Sequence, residues 1–259
     1  MRLIDTHAHL DFPQLRGRLQ EVLARAGERC VVKIVSVGID ERTSLAALEI
    51  SRLYPGVVYP TLGLHPHDAK TFNPALAKRF CLLLEGGGFV AVGETGLDYA
   101  KEYSPKKVQR DVFTFQLQLA RSYDLPVIVH SREADKDTIE ILKSEAREGP
   151  AGVIHCFSGG TELLEVALDL DFFISCSGII TFPQAQDLRS LVEICPVERL
   201  LIETDSPFLA PVPHRGKVNE PGFVYYVARE VARIRSMDLE EVSYWTTKNA
   251  MDLFGSIQD

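Results

Sequence analysis

The sequence predicts an α/β fold, a (β/α)8 TIM barrel, and two observations carry that prediction. Eight short apolar runs rich in β-branched residues alternate with longer amphipathic stretches, and the runs are nearly continuously apolar, as parallel strands covered on both faces must be. The chain has 259 residues, and barrels of this type take about 250 residues. A doubly wound open sheet is the alternative, but it usually shows fewer strands and a Gly-rich first turn. Here the first run leads into His7-Ala8-His9 instead. No repeat, low-complexity tract or Ser/Gly linker divides the chain, so residues 1–259 read as one domain.

The first predicted strand, Leu3–Asp5, is followed by a helical pattern over Leu15–Ala26, where Leu15, Leu19, Val22, Leu23 and Ala26 recur at three- and four-residue spacing. Strand two, Val31–Val37, precedes a helix over Ser44–Tyr54 with Leu45, Leu48 and Leu53 as apolar positions. Strands three and four, Val57–Leu62 and Phe89–Val92, follow with no helix assigned between them. Gly86-Gly87-Gly88 precedes a strand instead of opening a helix, so it reads as a turn and not a phosphate loop. The helix Pro105–Asp124 opens on a proline suited to a first turn. Strand five (Pro126–Val129), a helix over Ala134–Arg147, strand six (Gly152–Ile154) and a helix over Thr161–Asp169 continue the alternation. Strand seven (Phe172–Cys176), a helix over Pro183–Ile194 and strand eight (Leu200–Ile202) complete the predicted barrel. Helices near Glu220–Arg235 and Leu239–Gly255 close the chain, the second with Asp238 as cap and Glu241 three residues on.

Composition narrows the function. A net charge of −8 excludes a protein that holds nucleic acid by a broad basic field. A phosphodiester remains a substrate only if a local site, such as a bound metal, supplies positive charge. Five scattered cysteines with no C-x-x-C point to neither a disulfide framework nor a zinc ribbon, and fit a reducing cytoplasm. No apolar run approaches the ~18–20 residues of a membrane span, and the N-terminus lacks the apolar core of a secretory signal. A chain of this length needs no partner to fold, so a monomer or weak oligomer is expected.

The chemistry gathers where the strands end. Strand one ends in Asp5-Thr6-His7-Ala8-His9, strand three in Gly63-Leu64-His65-Pro66-His67 and strand four in Gly93-Glu94-Thr95-Gly96-Leu97-Asp98. Strand five ends in His130-Ser131-Arg132-Glu133, strand six in His155-Cys156-Phe157-Ser158-Gly159 and strand eight in Glu203-Thr204-Asp205-Ser206-Pro207. In such barrels this is the end where active sites are built. Neutral imidazoles with carboxylates suit zinc, manganese and related divalent ions. His7, His9, His130 and His155 with Glu94 and Asp205 are too many for one tetrahedral site. They suit two metals with one carboxylate between them, and Glu94, midway round the ring, is best placed to bridge. Two ions ~3.5–4 Å apart can clamp the attacking and leaving oxygens of an in-line displacement.

These strand-end motifs, with Leu10-Asp11, Tyr99 and Leu201-Ile202 around them, resemble the TatD family of metal-dependent deoxyribonucleases within the amidohydrolase-like barrels. The resemblance spans essentially the whole chain, and Arg215–Pro221 also matches the family pattern. It implies one or two divalent ions (zinc, manganese or magnesium) and hydrolysis of DNA phosphodiester bonds, often from an end. It further implies that His7 and His9 bind a first metal, that His130 and His155 bind a second, and that Glu94 is shared. Asp205 is implied as a first-metal ligand and as the group that orients the attacking water or takes its proton.

Other residues are open to two readings. His65 binds phosphate or the leaving group, or caps its strand. Arg132 meets a substrate phosphate bidentately, or pairs with Glu133 or Asp135 on the surface. Asp205 could also cap a helix. His67 and His214 read as surface residues, and Arg215 and Lys217 as a backbone grip or a solvated loop. Glu203 shares parity with Asp205 and either supports a ligand or forms an ion pair inside the barrel. Cys156 does not pair with His155, because adjacent strand residues point to opposite faces. The leading expectation is a hydrolase of DNA ends or single strands. The alternative is an ester or amide hydrolase using the same metals, acting on aminoacyl-tRNA or a small molecule. A carboxylated lysine, common in the two-metal amide-cleaving relatives, has no candidate near Glu94.

Overall fold

A computed structural model describes residues 1–146 and 151–257. Its centre is an eight-stranded sheet in which every neighbouring pair is parallel and the strands follow chain order. The strands are β1 (Leu3–Ala8), β2 (Val31–Ser36), β3 (Val58–Leu62), β4 (Ala91–Asp98), β5 (Val127–Arg132), β6 (Gly152–Ile154), β7 (Phe173–Cys176) and β8 (Leu200–Ile202). A parallel bridge from Ala8 to Ser206 closes the ring. The helices are α1 (Pro13–Arg16), α2 (Leu19–Glu28), α3 (Glu41–Leu53), α4 (Pro74–Glu85) and α5 (Lys106–Ser122). They continue with α6 (Asp135–Glu145), α7 (Thr161–Asp169), α8 (Gln186–Ile194), α9 (Val224–Arg235) and α10 (Leu239–Leu253). The expected TIM barrel is therefore present. Among the described residues, no helix is long and apolar enough to cross a membrane.

Strand alternation sorts the core into two apolar clusters. Leu3, Ile34, Val92, Val127, Val129, Ile154, Ile174, Leu200 and Ile202 join the outer cluster with helix residues such as Val22, Ile50, Phe113 and Leu142. Their neighbours Ile4, Val35, Ala91, Ile128, Val153, Phe173 and Leu201 form the inner cluster. This period of two is the strand period, and both faces are covered, which is why the strands are apolar throughout. The inner cluster also takes in Ala250, Leu253, Phe254 and Ile257. α10 meets the barrel at its strand beginnings: Asn249 Nδ2 donates to Leu200 O at 2.8 Å and Ser243 bonds to the backbone of Arg2. The N-terminal end of the barrel is thus plugged by the chain's last helix, which leaves the other end for a cleft.

Several element boundaries differ from the sequence reading. α4 was not assigned, although Asn73 caps it by accepting from the Ala75 and Leu76 N–H groups and Pro74 opens it. The apolar pattern of Pro74–Glu85 is broad, and only Phe80 and Leu84 are fully buried. β1, β4 and β5 run further than expected because their last residues are polar yet remain in the sheet. The first predicted helix is two pieces, broken at Gly17 and Arg18. Asp238 stands at the α10 cap position but its side chain makes no capping bond. The predicted helix end at Arg147 lies outside the described residues.

The plug generates a stability prediction. Phe254 is 1% exposed, and truncating a buried Phe to Ala costs about 3–5 kcal/mol. Phe254→Ala should lose that much in urea unfolding; a loss below about 1 kcal/mol would show that the barrel floor does not depend on it.

Candidate metal centre

Glu94 lies at the centre of the C-terminal mouth, and its two carboxylate oxygens face different partners. Oε2 lies 3.3 Å from His7 Nε2 and 3.8 Å from His9 Nε2. Oε1 lies 3.0 Å from His130 Nδ1, 2.9 Å from His155 Nε2 and 3.3 Å from His65 Nε2. Asp205 Oδ1 completes the first group, 3.4 Å from His9 Nε2 and 3.8 Å from His7 Nε2. The two imidazole nitrogens of that group are 3.3 Å apart, and His130 Nδ1 and His155 Nε2 in the second are 3.2 Å apart.

Backbone geometry brings these residues together. A register shift in β1 between Asp5 and Ala8 lets His7 and His9 converge on one point. Asp5 then ties that strand to the loop after β8: its carboxylate accepts the Thr204 N–H at 2.8 Å and the Thr204 hydroxyl at 2.6 Å. The Asp205 N–H donates to His7 O at 2.9 Å, and the His9 N–H donates to Ser206 O at 2.7 Å. Gly63 lets Glu94 approach β3, because a Cβ there would sit 2.5 Å from the Glu94 nitrogen. Two glutamines of α5 fasten the loop after β3 and the end of β4. Gln116 accepts the Leu64 N–H at 2.8 Å and donates to Leu64 O at 2.9 Å; Gln109 does the same for Asp98 at 2.8 and 3.1 Å.

Each histidine's other nitrogen has its own assignment. His9 Nδ1 lies 3.3 Å from Val37 O, a contact that requires a proton on Nδ1 and frees Nε2 as a lone pair. His155 Nδ1 lies 3.2 Å from Glu203 Oε1, and His130 Nε2 lies 3.1 Å from Asp98 Oδ2. Carboxylates behind ligating histidines fix the tautomer and raise ligand basicity. His65 differs. Its Nδ1 accepts the His67 N–H at 3.1 Å, so the neutral ring carries its proton on Nε2 and is a donor toward Glu94, not a ligand.

Electrostatics follow from these contacts. Burial opposes charge on Glu94, but His155, His65 and His130 outweigh it and hold the carboxyl well below its usual range. Asp205 is likewise buried, and His9 and His7 keep it ionised. Burial disfavours the charged forms of His9, His130 and His155. Asp205 nevertheless raises the pKa of His9, Asp98 with Glu94 that of His130, and Glu94 with Glu203 that of His155. Burial, with His155 nearby, lowers His7, and burial lowers His65 to about 4, which keeps it neutral.

The donor set fits a divalent metal. Bonds of about 2.0–2.1 Å put neighbouring atoms of a tetrahedral shell about 3.3–3.4 Å apart. His7 and His9 lie 3.3–3.8 Å from one another, from Glu94 and from Asp205, and the separations among Glu94, His130 and His155 are 2.9–3.2 Å. Glu203 Oε2 and His7 Nδ1 are buried with no hydrogen-bond partner among the described residues. His7, His9 and Glu94 form one cluster that could hold an ion; His65, Glu94 and His130 form another by proximity, though the His65 tautomer argues against His65 as its ligand.

The eight candidate site residues, His7, His9, His65, Glu94, His130, Arg132, His155 and Asp205, all lie at this mouth. Arg132 is exposed at the rim of a cleft of about 600 Å³ that also holds His65, Glu94 and Asp205. Its side chain pairs with neither Glu133 nor Asp135; Asp135 instead accepts the Gly160 N–H. Two surface assignments need correction. His67 is half-buried, its Nε2 3.0 Å from Asp98 Oδ2, because its loop folds back over β4. His214 stacks on Phe223 at 4.0 Å and 11°, an aromatic partner nine residues on that covers one face of its ring. Cys156 lines the cleft beside His155, but its Sγ contact is with Ser177 Oγ at 3.1 Å. The sequence predicts no role for Asp5, Asp98, Gln109 and Gln116. The two glutamines carried a signal, being seven apart on one helix face otherwise made of Val112, Phe113 and Leu117.

An eight-stranded parallel barrel with this histidine–carboxylate mouth defines the class, a metal-dependent hydrolase of the amidohydrolase-like fold. The sequence matches the family model for TatD-related DNase over residues 4–255, and the chain belongs to that family. It is 42% identical over 252 residues to the uncharacterized metal-dependent hydrolase YabD of Bacillus subtilis, covering 97% of this chain and 98% of that one. It is 35% identical to the 3'-5' ssDNA/RNA exonuclease TatD of Edwardsiella piscicida, covering 97% and 99%. The crystal structure of the Escherichia coli K12 TatD homologue YJJV superimposes with a TM-score of 0.92 at 31% identity, covering 98% of both chains.

Two predictions follow from the geometry. Removing a carboxylate behind a ligating histidine costs about 10–100-fold in metal affinity, so Asp98→Asn should weaken metal binding by that factor in a competition titration with a chelating dye. An unchanged affinity would show that Asp98 does not orient a ligand. The raised histidines are protonated in the metal-free protein as pH falls, and a metal must displace those protons. Affinity should therefore drop as pH falls through the raised His9, His130 and His155 pKa values. Calorimetry in buffers of different ionisation enthalpy should show proton release on binding, and no release would contradict the assignment.

Proposed function

We propose that the protein is a metal-dependent phosphodiesterase that hydrolyses DNA at ends or in single strands, using a pair of divalent ions bridged by Glu94. The division of the Glu94 oxygens between two groups of donors carries this reading. His7, His9 and Asp205 would hold one ion and His130 and His155 the other. Zinc or manganese suits this mixed nitrogen and oxygen set, and magnesium is the third candidate. Bound ions supply Lewis-acid chemistry: they acidify water and offset charge building on a phosphate.

The protein's own groups do the rest. Asp205, held ionised, accepts a proton from the attacking water and fixes its direction. His65, neutral, turns its Nε2–H from Glu94 to hydrogen-bond a phosphate oxygen or the leaving oxygen and keeps its proton. Arg132, exposed at the rim, meets the substrate phosphate with a planar two-pronged donor. Positive charge is thereby confined to the mouth, which reconciles a net charge of −8 with an anionic polymer as substrate. The Edwardsiella relative named as an exonuclease supports the same substrate class. The single barrel works as one catalytic unit, as a monomer or weak oligomer. We assign it to the cytoplasm, where its five free cysteines would stay reduced.

The test uses metal-stripped protein and end-labelled single-stranded DNA, with magnesium, manganese or zinc restored separately. Metal-dependent shortening is expected, and Glu94→Ala should lose at least about 10³-fold in rate, on the scale of lost electrostatic stabilisation. Intact DNA with every metal, while the protein still binds them, would overturn the reading in favour of ester or amide hydrolysis.

A further inference from the structure

We propose that Phe208 is a specificity residue that stacks on one unpaired nucleobase of the substrate, beside the reacting phosphate. The inference rests on the phosphodiesterase reading above and adds what the cleft recognises besides the phosphate. Of the 13 phenylalanines, Phe208 alone is exposed, at 44%. One exposed apolar side chain means little by itself; its setting gives it meaning.

Phe208 follows Asp205 by three residues, and its N–H donates to Asp205 O at 2.8 Å. Its own carbonyl accepts from Asn219 Nδ2, which also holds Thr204 O at 2.8 Å. The ring's backbone is therefore fixed to the same loop that aims Asp205. Phe12 crosses the ring at 85° with centroids 5.4 Å apart, and His9 lies 6.1 Å away. Leu209 and Ile179 continue the apolar wall of the same cleft, while Arg132 and His65 stand in its polar part. A flat apolar wall next to a phosphate-binding floor is the complement of a nucleotide, whose base is flat and whose backbone is charged. Stacking on an aromatic ring tolerates any base, because every base has a π face. It needs that face uncovered, which excludes a base inside a duplex. Phe208 thus supplies the preference for frayed ends and single strands that the acidic surface does not.

The test compares the thymidine tetranucleotide with its counterpart in which every base is absent, the sugar being replaced by tetrahydrofuran. Both present the same phosphodiesters. Wild-type protein loaded with its preferred metal should favour the base-bearing substrate by about 5–100-fold in kcat/KM, the range one base stacked on an aromatic ring provides, mostly through KM. Phe208→Ala should bring that ratio close to one, and Phe208→Trp should restore it. Phe208→Leu, which keeps apolar bulk without a π face, replaces the alanine variant if that fails to fold, and should also lose the ratio. A wild-type ratio near one, or a ratio that survives Phe208→Ala or Phe208→Leu, overturns the stacking role while leaving the phosphodiesterase reading intact. Cleavage of neither substrate by the wild type overturns both.

Discussion

The structure depends on one buried carboxylate surrounded by imidazoles. Glu94 is 3% exposed, and a carboxylate taken out of water is costly unless it is paired. Four histidines meet it within 3.3 Å. That arrangement is stable only as a set: remove the histidines and the carboxylate is stranded, remove the carboxylate and several imidazoles lose the group that holds them. Divalent cations have the charge and bond lengths that match such a set.

Keeping the cluster in register is the work of the surrounding chain. The barrel supplies coarse placement, since the strand ends of β1, β4, β5 and β6 all open on one mouth. Fine placement comes from buried amides and carboxylates that each make several bonds. Gln109 and Gln116 bond to loop backbone as an extra strand would, and Asp5 joins the first strand to the last. Asp98 stands behind two histidines at once, His67 and His130. A small displacement of any of the histidines they hold would open the separations that fit a metal.

The histidines and carboxylates of the mouth are more legible in the sequence than their supports, for physical reasons. Strand ends can be read because apolar runs stop abruptly at His and Glu, and parity then puts Glu203 and Asp205 on the same side. The helix Pro74–Glu85 could not be read from periodicity, because much of it faces solvent and its apolar residues do not form a narrow stripe. Its Asn73-Pro74 start was the available signal. The length of β4 is hidden because its last six residues look like a loop, and pairing of Thr95, Gly96, Leu97 and Asp98 with β5 keeps this end in the sheet. Asp5, Asp98 and the two glutamines look like ordinary polar residues in sequence. Their value appears only when loops distant in the chain come together, as Asp5 and Thr204 do across 199 positions.

The central claim is that Glu94 joins two metal sites and does not merely border one. Electron paramagnetic resonance of metal-free protein titrated with Mn(II) tests it most directly. Two ions per chain whose spectra show magnetic coupling are predicted, with the coupling lost in Glu94→Gln. A single ion at saturation, or two ions with independent spectra in the wild-type protein, would contradict it.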